Sequence, residues 1–372
     1  MRILHLCSNY VGTKVHLNQI YSLSKLVDHQ DVIVPVYSRE HFGLNKIKLN
    51  NVDVRYLKIN NSILKYFPLL KVIVMFISIL TREINVIKKS EVIYAHTLWN
   101  NGVVGYLLSL IFNKRFIVSI RSTDFFVFMN KLPHYRWLMR LVVKRAEYVI
   151  FISPSYKERV MSRFSALFDC PEKCIVIPNG IDDFWIKKAN GELKVDKVNN
   201  DKRYIFVGRL NKTKRPEFVI NIVSEIRKNK GFEHSTLTFI GCSSGELKKY
   251  LSISYLPDWI NVVGKVSSKE ELFSFYMSSD CLLLPSYQET FGLVYLEALS
   301  SGCSVVLTKN EGISGCFSPN DSIFEVDTED VVSIAKEISN MPVFSFPRSQ
   351  ISSNFSWSNY SKKIEEILHI NR

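Results

Sequence analysis

Apolar residues follow two alternating rhythms along the chain. Short runs rich in β-branched and aromatic residues occur at 1–7, 31–37, 52–57, 91–95, 115–121, 147–152 and 174–178, and again at 203–207, 236–240, 260–263, 281–284, 303–307 and 322–326. These predict strands, and near-continuous ones such as Tyr148–Ile152 and Cys281–Leu284 fit parallel sheets covered on both faces. Longer stretches with helical spacing separate them and fit right-handed crossovers. Each half therefore predicts a doubly wound α/β domain. The polar stretch Lys187–Lys202 lacks apolar periodicity and reads as a linker, which sets the domains at 1–190 and 191–354. A last segment, 355–372, regains helical spacing from Phe355 to Ile370. One apolar stretch, Tyr66–Leu80, is shorter than a membrane-spanning helix and is interrupted by Lys71. Two readings of it stand: a crossover helix buried against the sheet, or a helix lying on a bilayer, with Lys65, Lys71, Arg82, Lys88 and Lys89 attracting anionic lipid.

Composition bounds this picture without changing it. With 372 residues, 47% hydrophobic and 22% charged, the chain is an ordinary globular protein with room for two cores. Charge adds an asymmetry. Residues 1–200 hold 29 Lys+Arg against 15 Asp+Glu, and residues 201–372 hold 19 against 20, so the whole excess of +13 belongs to the first half. Either that half has a solubilising basic face, or it meets an anionic partner such as a membrane surface or a lipid pyrophosphate. Nucleic acid is not an expected partner, because charge is the sole feature in its favour. Seven cysteines are scattered, and Cys170 with Cys174 has no second pair to complete a zinc site. They read as reduced thiols, and the start of the chain runs directly into a strand without a signal peptide's apolar region; the expected setting is cytoplasmic.

Candidate chemistry concentrates in Ser286–Gly302, where Glu289 and Glu297 stand eight residues apart with Phe291-Gly292 between them. A carboxylate in a loop after a strand, a helix start with free amides and a second carboxylate on that helix suit a sugar nucleotide. Upstream, Gly208-Arg209 ends a strand and Lys214 precedes Pro216, so two cations flank a strand's carboxyl end. The segment 286–302 resembles the paired-glutamate signature of the retaining family 4 glycosyltransferases, and Gly208-Arg209-Leu210 with Lys214 matches the same family. The resemblance implies the GT-B fold: two Rossmann-like, doubly wound parallel-sheet domains facing a cleft, with the final helix crossing back onto the first. It implies that Glu289 holds donor-sugar hydroxyls, that the backbone at Phe291, Gly292 and Leu293 contacts sugar and phosphate, that Arg209 and Lys214 neutralise the leaving diphosphate, that Glu297 binds the ribose, and that Lys265 and Val266 lie in the base-contacting loop.

In the first half, Gly12 lies in the loop after the first strand, where the family has a glycine-rich loop, and would let backbone approach the diphosphate or acceptor. The segment Phe116–Asp124 is similar to a family motif whose histidine is replaced here by Arg121. An arginine is no general base, so Arg121 would bind phosphate and Asp124 would orient it or the acceptor; a purely structural Arg–Asp pair is the other reading. His96 is either an acceptor-side group or a satisfied strand-end histidine, and His134 is a further acceptor-side candidate. The G-x-G-x-x-G dinucleotide fingerprint is absent. The expected activity is metal-independent, cofactor-free transfer of a sugar from a UDP- or GDP-sugar to an acceptor hydroxyl, with retained configuration. The expected acceptor is a lipid-linked saccharide of bacterial O-antigen or capsule assembly, at the inner face of the plasma membrane. The rival readings are a GT-B nucleotide-sugar epimerase and a non-catalytic nucleotide-sugar-binding scaffold.

Overall fold

The computed structural model describes residues 1–59, 64–191 and 201–369. All thirteen predicted strands are present, with ends that match or are displaced by one or two residues. The first seven are β1 (Arg2–Leu6), β2 (His29–Val36), β3 (Val52–Lys58), β4 (Val92–Ala95), β5 (Arg115–Ser119), β6 (Tyr148–Phe151) and β7 (Cys174–Val176). They form one sheet in the order β3-β2-β1-β4-β5-β6-β7. The other six are β8 (Arg203–Val207), β9 (Thr236–Ile240), β10 (Ile260–Gly264), β11 (Cys281–Leu283), β12 (Ser304–Thr308) and β13 (Ile323–Val326), in the order β10-β9-β8-β11-β12-β13. Every strand pairing within the two sheets is parallel. In each sheet the first strand in sequence sits inside, and the order reverses beside it. This is the doubly wound arrangement, in which ligands gather at the carboxyl ends of strands next to the reversal.

Two compact units result. One is Met1–Gly180 together with the final helix Trp357–His369; the other is Ile181–Ser356. The division thus falls ten residues before the sequence-based boundary. Its cause is the helix Asp183–Gly191, which covers most of the first part of the presumed linker. Trp185 on that helix is buried among Phe184, Phe273 and Tyr276, all of the second unit. Residues 192–200, the rest of that stretch, lie outside the described residues.

The final helix completes the first unit's core. Trp357, Tyr360, Ile364 and Leu368 pack with Met1, Ile3, Tyr94 and Ile117. Tyr94 Oη lies 2.9 Å from Tyr360 Oη and 2.8 Å from Ser119 Oγ, and the Arg115 guanidinium donates to the Leu368 carbonyl at 2.6 Å. At the exit from this unit, a Cβ on Gly180 would lie 2.5 Å from the Trp357 ring, so glycine lets the two chain crossings touch.

The apolar stretch 66–80 forms the helix Pro68–Arg82, with Pro68 at its first position. Val72, Met75 and Ile79 are buried, while Leu70, Ile73 and Ile77 are exposed on the other side. Lys71 is half-buried, its ammonium 4.4 Å above the Tyr37 ring, so it is turned towards the protein. The Lys65 side chain lies outside the described residues. No helix among the described residues is long and apolar enough to cross a membrane.

Candidate active site

In the second unit, the loops after β8 and β11 are tied together. Tyr287 N–H donates to the Thr213 carbonyl at 2.7 Å, and Lys214 Nζ meets Glu289 Oε2 at 2.5 Å. Asn211 Oδ1 fixes the Lys214 backbone by accepting its N–H at 2.9 Å. The other Glu289 oxygen accepts from Thr290 N–H at 3.1 Å. The pair is mostly shielded from solvent, a setting in which a cation and a carboxylate act strongly on a charged, hydroxylated ligand.

The glutamate loop is built around one aromatic ring. Gly292 (φ 74°) caps the helix Leu293–Ser300, and a Cβ there would lie 2.4 Å from the Tyr295 ring. A Cβ on Gly312 (φ 57°) would lie 2.9 Å from the same ring and 3.3 Å from Glu289 Cγ. Gly312 N–H also donates to the Glu289 carbonyl at 3.1 Å, and Tyr295 Oη donates to the Leu284 carbonyl at 2.7 Å. Among the described residues no side chain caps the start of this helix, which follows directly on the loop of Glu289. The Phe291 side chain is buried towards Phe355, leaving its backbone as the part available to a ligand.

Glu297, on the same helix, is half-buried, with Tyr276 Oη 3.4 Å from its Oε2. Burial pushes its pKa up to about 7, and Asp182 adds to the effect while Lys269 opposes it. On the other side of β8 in the sheet, the ends of β8, β9 and β10 converge. Gly241 N–H donates to the Gly264 carbonyl at 2.7 Å, and a Cβ on Gly241 (φ 109°) would lie 2.5 Å from the Gly208 carbonyl oxygen. The cavity beside this junction, about 710 Å³, is lined by Arg209, Lys249, Tyr250 and Lys265 among others. Its volume and basic lining suit a nucleotide-sized anion. Val266 is half-buried and is not among the lining residues.

Sequence reasoning missed a brace beneath this site. Arg215 (φ 56°) stacks its guanidinium 4.3 Å from the Tyr287 ring and pairs with Glu329, which also accepts from Tyr287 Oη. A positive φ at a non-glycine residue before Pro216 has no signature in the sequence, and Glu329 is 114 residues from Arg215.

In the first unit, His96, Arg121 and Asp124 gather at the carboxyl ends of β1, β4 and β5. Asp124 begins a π-helical turn, Asp124–Met129, and is fully buried. Its oxygens accept from Trp99 N–H at 3.0 Å and from Arg121 N–H at 2.9 Å, which fastens two loops together. Burial pushes its pKa up to about 6, against those hydrogen bonds. Arg121 donates to Asn179 Oδ1 at 3.2 Å, and its buried Nε–H has no partner among the described residues. Asp124 therefore positions Arg121 through the backbone.

His96 belongs to a buried cluster, stacked on Tyr94 with ring centroids 4.2 Å apart and edge-on to His16 at 4.9 Å. Gln30 Nε2 donates to the Ile20 carbonyl, so its Oε1 accepts from His5 Nε2–H. His5 Nδ1 then accepts from His96 Nε2–H at 3.0 Å, and the His96 Nδ1 lone pair is left buried without a partner among the described residues. Burial holds His5 and His16 near pKa 3 and His96 well below its usual value, so all three are neutral at pH 7. His134 is exposed, its ring 4.1 Å from Tyr135, which in turn stacks on Trp99. Gly12 ends the short turn Tyr10–Gly12; its N–H is engaged by the Asn9 carbonyl, and Thr13 caps the following helix. The first unit thus brings together His96, Arg121 and Asp124; in the second, Lys214 meets Glu289, Gly292 caps the helix that carries Leu293 and Glu297, and Arg209 and Lys265 line the cavity.

The chain is similar to known proteins over both units. Residues 191–341 match the model for glycosyl transferases group 1, and residues 19–183 match the model for glycosyltransferase family 4. With the fold, these matches show that the chain belongs to the GT-B glycosyltransferases. An uncharacterised glycosyltransferase of Methanocaldococcus jannaschii is 28% identical over 61% of this chain and 60% of its own length. The D-inositol 3-phosphate glycosyltransferase of an Arthrobacter species is 28% identical over 46% of this chain and 42% of its own length. The chain thus spans less than two thirds of these curated relatives. Among solved structures, Anabaena HepE in complex with UDP and glucose superposes with a TM-score of 0.65 at 17% identity, over 99% of both chains. The lipopolysaccharide outer core galactosyltransferase WaaB superposes with a TM-score of 0.67 at 15% identity, over all of both chains. At these identities the likeness is one of fold.

Proposed function

We propose that the protein transfers a sugar from a UDP- or GDP-sugar to a hydroxyl of a lipid-linked saccharide, with retained configuration, without metal or other cofactor, in O-antigen or capsule assembly. It would work in the cytoplasm, against the inner face of the plasma membrane. The observation that carries the reading is the Lys214–Glu289 pair at an uncapped helix start, beside a glycine-floored basic cavity. Glu289 accepts hydrogen bonds from donor-sugar hydroxyls, and Glu297 does the same for the ribose. Arg209, Lys214 and the amides of Gly292 and Leu293 face the diphosphate, whose negative charge grows as the glycosidic bond breaks. Fixed cations and helix amides supply that neutralisation from the protein itself. Arg121 adds a cation for leaving-group or acceptor phosphate.

The relatives support the donor class. Anabaena HepE has been solved with UDP-glucose, and WaaB is a lipopolysaccharide outer core galactosyltransferase. The test is calorimetric binding of UDP, GDP, ADP and their sugar conjugates in EDTA, followed by transfer of labelled sugar to a lipid extract and assignment of the product's anomeric configuration by NMR. Selective binding, with transfer insensitive to EDTA, is the expected result. Donor conversion without acceptor, or strict metal dependence, overturns the reading.

A further inference from the structure

We propose that Cys7, His16 and His96 bind a zinc ion inside the first unit. The three lie far apart in the chain, so no short spacing announces them, and all three are buried. One ligand atom from each lies within 4.8 Å of the other two. Cys7 and His96 directly follow β1 and β4, the strands on either side of the reversal in strand order. His16 comes from the helix Lys14–Leu23. The sheet holds two of the ligands in place: Cys7 N–H donates to the Ile33 carbonyl at 3.1 Å, and His96 N–H donates to the Leu6 carbonyl at 3.0 Å.

Two hydrogen-bond relays fix which nitrogen of each histidine keeps its lone pair. The first starts at Arg121, which can only donate. Its guanidinium makes Asn179 Oδ1 the acceptor, and the same oxygen accepts from Gln19 Nε2 at 3.2 Å. Gln19 Oε1 therefore accepts from His16 Nδ1–H at 2.9 Å, and the His16 lone pair is on Nε2. The second relay starts at the Ile20 carbonyl, which can only accept, and runs through Gln30 and His5 to His96 Nε2–H. The His96 lone pair is therefore on Nδ1. Two lone pairs and a thiol share one small buried space. The thiol has a single proton, which satisfies one nitrogen and not both. A metal cation bonds to all three. An imidazole whose other nitrogen donates to a fixed acceptor has the tautomer and ring orientation with which histidine holds a metal.

The donor set chooses the ion. One thiolate and two imidazoles suit zinc, and a set without carboxylates does not suit magnesium or calcium. Zinc completes a tetrahedron with a fourth ligand. Arg121 favours an anionic oxygen there. It acts electrostatically on Cys7, His16 and His96 alike, and its buried Nε–H has no partner among the described residues. A hydroxide on the zinc accepts from that N–H and offsets the metal's charge beside the guanidinium. Binding forms the bond from Cys7 sulfur to zinc. The thiol and the bound water each release one proton to solvent, and the neutral histidines release none. The ion fastens the ends of β1 and β4 to the first helix and does not enter the transfer reaction.

The experiment is equilibrium dialysis of the whole protein, first stripped with EDTA, against zinc chloride, with bound metal read by elemental mass spectrometry. The expected result is about one zinc per chain with a Kd below about 1 μM. Cys7→Ser and His16→Ala should each weaken binding at least about a hundredfold. Gln19→Leu, which removes the acceptor of His16 Nδ1–H, should weaken it at least about tenfold. Cys170→Ser, outside the cluster, should bind as the parent does. Zinc should also raise the melting temperature of the parent and leave that of Cys7→Ser unchanged. Cobalt in place of zinc gives a reading on the parent without relying on a variant's folding: a sulfur-to-cobalt absorption band, with the ligand-field intensity of a four-coordinate ion. A Kd above about 1 μM, a cobalt spectrum without the sulfur band, or zinc binding that survives Cys7→Ser and His16→Ala overturns the proposal.

Discussion

Glu297 is a carboxyl group whose burial works against the fold once it ionises. Its folded-state pKa of about 7 lies above the ordinary 4.5, so between those values the folded protein holds more proton at this site than the unfolded chain does. That contribution to stability is therefore lost as pH rises through this window. Glu297→Gln is expected to raise stability at pH 8 by about 1–2 kcal/mol and to have little effect near pH 4, as thermal melts across pH would show. The same substitution should weaken nucleotide binding at least about tenfold, because the amide keeps one acceptor and loses the charge. Parent nucleotide affinity should fall as the pH drops below about 7, unless Glu297 contributes nothing to binding. Glu289 predicts a different pattern. Glu289→Ala should depress turnover about a hundredfold while changing the nucleotide Kd less than about threefold, a split that steady-state kinetics and calorimetry resolve together.

At the scale of elements, the glutamate loop is a small machine of two glycines and a tyrosine. Gly292→Ala would strain a backbone at φ 74° and force a methyl into the Tyr295 ring. We expect a loss of about 1–3 kcal/mol by denaturant titration and a turnover defect like that of Glu289→Ala. If the variant instead keeps full activity, the Tyr295 platform does not position Glu289. Much of this level was legible in the sequence. Buried parallel strands are apolar throughout, which made runs such as Tyr148–Phe151 plain, and Glu289, Gly292 and Glu297 lie within one short segment. Contacts between distant residues left no such trace. Nothing near Asp124 announces that its carboxylate holds Trp99, and nothing near Arg215 announces Glu329. The start of the presumed linker proved helical for a related reason. Asp183–Gly191 is polar on average and becomes a helix because Trp185 finds a pocket supplied by residues some ninety positions later.

At the scale of the molecule, the final helix is a structural part of the first unit. Ile364 is fully buried in the cluster that contains Ile3 and Tyr94. Ile364→Ala should cost about 2–5 kcal/mol, and the loss should appear in the unfolding transition of the first unit, followed by a tryptophan probe on each side. The route of the backbone has one more consequence. Because the chain leaves the first unit at Gly180 and re-enters it at Trp357, the first unit lacks its closing helix while Ile181–Ser356 is being made. At about 5–20 residues per second, the ribosome takes roughly ten to thirty-five seconds over that stretch. The half that begins emerging first is therefore the half that finishes folding last, and during that interval the surface of Ile3, Tyr94 and Ile117 awaiting the helix is open to chaperones.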